Sequence, residues 1–68
     1  MTDLSGLTTR LTPREKEVLQ CLQHGLLYKE IATKMDVSID TVKKHIKNIY
    51  SKLEVRNRTE AVNKFYRA

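Results

Sequence analysis

Lys43, Lys44, Lys47 and Lys52 lie within ten positions of one another, and the stretch that carries them, VSIDTVKKHIKNIYSKL over 37–53, holds a single acid, Asp40. Ammonium groups three or four positions apart share a helix surface, where each like-charged pair costs a few tenths of a kcal/mol. A face built this way is either tolerated by solvent or suited to an anion. Other chemistry has weaker support. Cys21-x-x-His24 is half of a ligand set, but zinc takes four ligands and no second cluster accompanies it; His45 stands apart. No acid, base and nucleophile converge by spacing, and glycine-rich phosphate cradles are absent. Neither an enzyme nor a metal or cofactor protein is expected.

The charge distribution sharpens the anion reading. Residues 1–40 carry five basic and six acidic side chains. Residues 41–58 carry six basic ones (Lys43, Lys44, Lys47, Lys52, Arg56, Arg58) against Glu54 alone, so this segment accounts for the net charge of +5. A localised basic patch points to a polyanion more strongly than a high isoelectric point does. The chain has 68 residues, enough for one small domain with a limited core. One cysteine precludes an internal disulfide, and no apolar run reaches the ~20 residues that span a bilayer. A cytoplasmic protein without a membrane partner or small-molecule ligand is the expectation.

Four helices must position these residues, and no strand signal competes with them. Residues 1–10, MTDLSGLTTR, read as an arm or linker remnant, leaving 11–68 as the domain. Thr12-Pro13-x-Glu15 combines a capping box with proline at the first helical position and opens a helix over 13–23, which Gly25 can end in a left-handed conformation. Val18, Leu19 and Leu22 form its stripe, with Cys21 beside it as a small hydrophobe. A short helix over 28–35 presents Ile31, Ala32 and Met35. Leu26 or Leu27 anchors its entry; its cap position holds Leu27 rather than Ser or Thr, so packing by Leu27 has to compensate. Asp36-Val37-Ser38 breaks the pattern: Asp36 suits a turn, Val37 points inward and Ser38 is a fresh cap. Helix 3 runs over 39–53 with Val42, Ile46, Ile49 and Leu53 inward. Lys44, Lys47 and Ser51 lie opposite, Lys43 on one flank, His45 and Lys52 on the other. Asn57-x-x-Glu60 starts helix 4, with Ala61, Val62 and Phe65 inward.

A short helix, a three-residue turn and a longer helix form a helix-turn-helix, whose second helix enters the DNA major groove. That groove is about 12 Å wide, and phosphates line its rims. The unpaired lysines then have their anion. The blocks LTPREKEVLQCLQHG, KEIA and VSIDTVKKHIKNIYSKLEVRNRTEAV also resemble the LuxR/NarL/GerE-type DNA-binding domain, over most of the chain. The resemblance implies an all-α, four-helix effector domain of bacterial transcription regulators, including response regulators, that binds double-stranded DNA as a dimer through its last helix. It implies groove contacts from Lys43, Lys44 and Lys47, and backbone contacts from Lys29, Thr41, His45 and Lys52. Asn48 joins the backbone set, although it and Thr41 could equally serve local geometry. Leu27 and Tyr28 stand where the family commonly has Ser and Asn, and Asp36 where a small turn residue is common. Tyr28 keeps a hydroxyl able to reach a phosphate. Phe65 reads as core, whereas Val62 and Tyr66 suit a small two-fold contact, hence a weak or DNA-assisted homodimer. The alternative is a protein-interaction module that uses the same surface on an acidic partner such as an RNA polymerase subunit. That reading requires an apolar patch on the outer face of helix 3.

Overall fold

The structure is a computed structural model in which residues 10–67 are described, the side chain of Arg67 excepted. The expected arm therefore lies outside the described residues, apart from Arg10. Four helices follow: α1 (Pro13–Gln23), α2 (Tyr28–Met35), α3 (Ile39–Leu53) and α4 (Arg58–Arg67). No strand occurs among the described residues. The all-α expectation and the bounds of the first three helices hold.

Each helix start answers to local sequence. Thr12 Oγ1 accepts from the Glu15 amide at 3.1 Å, and Glu15 Oε1 accepts from the Thr12 amide at 2.9 Å, completing the capping box. Ser38 caps α3 by accepting from the Thr41 amide. Asn57 Oδ1 accepts from the Glu60 amide at 2.9 Å, as the capping pair predicts. The return bond differs, since Glu60 Oε1 takes the Arg56 amide rather than that of Asn57. At α2 the expectation of packing by Leu27 is corrected. Leu27 is 56% exposed, and it is Leu26 that rests on the core. A carboxylate does the compensating: Glu30 Oε1 accepts from the Leu27 amide at 2.6 Å.

The ends of α1, α2 and α3 share one device. Gly25, Asp36 and Glu54 all have positive φ, at 81°, 56° and 57°. In each case the next amide bonds back to a carbonyl five residues earlier: Leu26 to Cys21, Val37 to Ala32, Val55 to Tyr50. The left-handed residue itself bonds to the carbonyl three back, completing a Schellman motif. Leu26, Val37 and Val55 are the apolar residues that follow, and all three pack on the core. The end at Asp36 agrees with its turn assignment. Nothing in the sequence marks Glu54 for this conformation, because glutamate has no side-chain reason to favour it.

The core joins Val18, Leu19 and Leu22 of α1, Ile31 of α2, Val42, Ile46, Ile49 and Leu53 of α3, and Ala61 of α4. Phe65 packs against its edge. Cys21 is fully in the core rather than beside it, at 4% exposure. One charged side chain is buried with it. Glu15 is 3% exposed, and the Oε1 that closes the capping box also accepts from Lys52 Nζ at 2.7 Å. This ties the start of α1 to the end of α3. Burial alone would raise the Glu15 pKa, but the Lys52 bond and charge and the Thr12 bonds outweigh it and hold the carboxyl below the ordinary glutamate range.

A carboxyl with a depressed folded pKa stabilises above its unfolded pKa, and the contribution is lost as pH falls through the folded value. Glu15→Gln should therefore cost about 1–3 kcal/mol in urea unfolding at neutral pH. Its deficit relative to the wild type should shrink as pH drops below about 4.5; a deficit constant down to pH ~3 would refute this role. Glu54→Gly should instead stabilise by about 0.5–1 kcal/mol, since the removed left-handed strain exceeds glycine's added chain entropy. A lowered thermal midpoint would contradict that.

Candidate nucleic-acid interface

The inward stripe of α3 decides what faces out. Because Val42, Ile46, Ile49 and Leu53 are buried, Lys43, Lys44, Lys47, Asn48 and Ser51 are exposed on the remaining surface. The two ion pairs found among the described residues are Arg14–Glu17 at 3.6 Å and Lys52–Glu15. Neither uses Lys43, Lys44 or Lys47. The outer face of α3 thus presents three unneutralised cations along a span of about 6 Å. Its one exposed large apolar side chain is Ile39 at the first turn. The apolar patch that a protein-docking surface would need is not found on this face.

The other predicted residues are placed unevenly. Lys29 is exposed on the first turn of α2. Thr41 is half-buried, and its hydroxyl lies 2.9 Å from that of Ser38, so it serves the α3 cap at least in part. His45 is half-buried. Lys52, expected with the backbone contacts, has its ammonium on Glu15 where α3 meets α1. The structure exposes Lys43, Lys44, Lys47 and Asn48 together and pairs Lys52 with Glu15.

Arg58 was visible in the sequence only as one cation of the basic segment. Its guanidinium reaches back to α1: Nε and Nη2 donate to the Leu22 carbonyl at 3.1 and 2.9 Å, and Nη2 also donates to the Leu26 carbonyl at 2.9 Å. The Leu22 carbonyl lies in the last turn of α1, which has no basic residue of its own, and that of Leu26 in the connection to α2. A cation from another helix satisfies them and complements the helix dipole. Nearby, burial pushes the Tyr50 hydroxyl pKa up, the proximity of the Tyr28 hydroxyl adds to the rise, and the Arg58 charge offsets part of it. No helical period in the sequence signals the Arg58 bonds to Leu22 and Leu26, which span 36 and 32 residues.

On α4, Val62 is half-buried against the core and Tyr66 is 38% exposed. Tyr66 meets Phe65 edge-on with ring centroids 5.0 Å apart. Burial raises its hydroxyl pKa, and proximity to Cys21 adds to the effect. His24 is exposed, and no group of three or more metal-ligating side chains occurs among the described residues. No helix of the described residues is long and apolar enough to cross a membrane.

Comparison with known proteins extends the picture. The family described as bacterial regulatory proteins, luxR family, matches residues 9–65. Transcriptional regulatory protein LnrK of Bacillus subtilis is 57% identical over 51 residues, covering 75% of this chain and 23% of that protein. Transcriptional regulatory protein DesR of the same species is 44% identical over 64 residues, covering 94% and 32%. Response regulator protein VraR of Staphylococcus aureus is 50% identical over 52 residues, covering 76% and 25%. The chain thus spans no more than about a third of the length of these relatives.

Proposed function

The chain belongs to the luxR family of bacterial regulatory proteins, a family of DNA-binding transcription regulators rather than enzymes, and from that premise we propose how its surface reads DNA. α3 enters the major groove, and Lys43, Lys44 and Lys47 reach base edges and the adjacent phosphates. Lys29, Thr41, His45 and Asn48 hold the sugar-phosphate backbone. The observation that carries this reading is the set of three exposed lysines opposite a fully buried stripe, with no acid paired to any of them among the described residues. In the free protein these charges repel one another. On duplex DNA they gain charge-assisted contacts and release condensed counterions, so affinity falls as salt rises. Phosphate contacts set register, and the base-facing lysines supply sequence preference.

Two copies bind related half-sites through a weak contact formed by Val62 and Tyr66 on α4. Tyr66 offers the exposed aromatic area and Val62 the apolar neighbour. So small a patch gives a dimer that DNA helps to assemble. Several relatives are named response regulators, which supports assigning this chain as the DNA-reading part of such a regulator.

Titration with a mixed-sequence duplex of roughly 20 base pairs, enough for two half-sites one turn apart, tests the reading by amide NMR at two salt concentrations. Salt-sensitive shifts should cluster on 38–53 and Lys29. Absence of shifts at low salt, even for two covalently linked copies, would overturn it. Lys47→Ala should alter preference among duplexes. Lys29→Ala should weaken all duplexes alike and reduce the salt slope by about one. Lys52→Ala should lower stability and leave that slope unchanged, because its ammonium is held by Glu15.

A further inference from the structure

The start of α2 is poorly secured by its own sequence. Its cap residue, Leu27, has no oxygen to offer and lies 56% exposed. The local restraint is the Glu30 carboxylate on the Leu27 amide. Yet this turn carries Tyr28 and Lys29, and α2 is only eight residues long. To the Schellman bonds of Gly25 and Leu26 the first residue of α4 adds a restraint from outside the turn. Arg58 bridges the Leu22 and Leu26 carbonyls, so its planar fork fixes the connection between α1 and α2 one residue before the cap. Arg58 itself is half-buried and directed inward.

We propose that Arg58 is a positioning residue for DNA binding: it clamps the α1–α2 turn so that Lys29 meets a phosphate, and it does not touch DNA itself. The proposal rests on the reading of Lys29 as a phosphate contact. Its consequence is that α4, the helix assigned to dimerisation, is mechanically joined to the contact edge of α2. The sequence-local Glu30 bond holds an amide, whereas Arg58 holds the path of the chain into it.

A double-mutant cycle tests this at low salt. Lys29→Ala in the wild-type background should weaken duplex binding about tenfold, the scale of one charge-assisted bond. In an Arg58→Gln background the same substitution should cost about twofold or less, since the unclamped turn no longer delivers Lys29. Lys47→Ala, on α3, should keep its full factor in both backgrounds. Additive losses for Lys29 and Arg58 would overturn the proposal, since a general loss of stability or of dimerisation would add equally to both lysines. Should Arg58→Gln not fold, Arg58→Lys retains the charge but not the two-carbonyl fork, and the same cycle applies. The wild type gives an independent reading: the Arg58 Nε–H resonance should stay in place on DNA addition while the Lys29 amide shifts. Movement of Nε–H with the duplex would make Arg58 a direct contact instead. If the wild type shows no salt-dependent binding at all, the DNA reading itself fails, whatever the cycle gives.

Discussion

One stripe of one helix organises this domain. Val42, Ile46, Ile49 and Leu53 of α3 are the surface on which α1, α2 and α4 all pack. A chain this short buries too little area for two cores, so every large apolar side chain that can be spared meets at that stripe. Commitment of one face inward leaves the opposite face no choice. Lys43, Lys44 and Lys47 are exposed because their neighbours at three and four positions are not. The exposure of the basic face and the stability of the fold are two results of the same periodicity.

The connections preserve that arrangement by being short and tightly closed. Three successive helices end in a left-handed residue followed by an apolar one that returns to the core: Gly25-Leu26, Asp36-Val37 and Glu54-Val55. Each motif satisfies helix-end carbonyls and redirects the chain within two residues. Only the first uses glycine. At Asp36 and Glu54 the backbone accepts some strain, and the packed Val37 and Val55 offset it. The Asp36 end connects α2 to α3, the two helices of the helix-turn-helix.

Polar ties between distant residues then divide the cations into two groups. Lys52 is held by a buried carboxylate and Arg58 by two backbone carbonyls. Lys43, Lys44 and Lys47 have no such partners among the described residues. The basic segment therefore contributes part of its charge to holding the fold and presents the rest. This division also gives the interface a defined edge. Lys52 marks where α3 turns toward α1. A rigid frame of this kind suits recognition of a duplex, because contacts ordered before binding lose less entropy when they form.

Short-range chemistry made much of this legible from the sequence. The capping pairs Thr12–Glu15 and Asn57–Glu60, the Ser38 cap, the proline at Pro13 and the 3.6-residue stripe of α3 all act within three or four positions. Their outcome depends little on the remainder of the chain. The resemblance to a known family added the functional class. What local order could not decide was which charged groups are free, because that depends on residues more than thirty positions apart. The pairing of Lys52 with Glu15 spans 37 residues, and that of Arg58 with Leu22 spans 36. In a list of residues both look like further cations of one patch. Only when α1, α3 and α4 pack together do they find a carboxylate and two carbonyls that water would otherwise serve. The left-handed turn at Glu54 belongs with them: its own side chain does not favour it, and the burial of Val55 does.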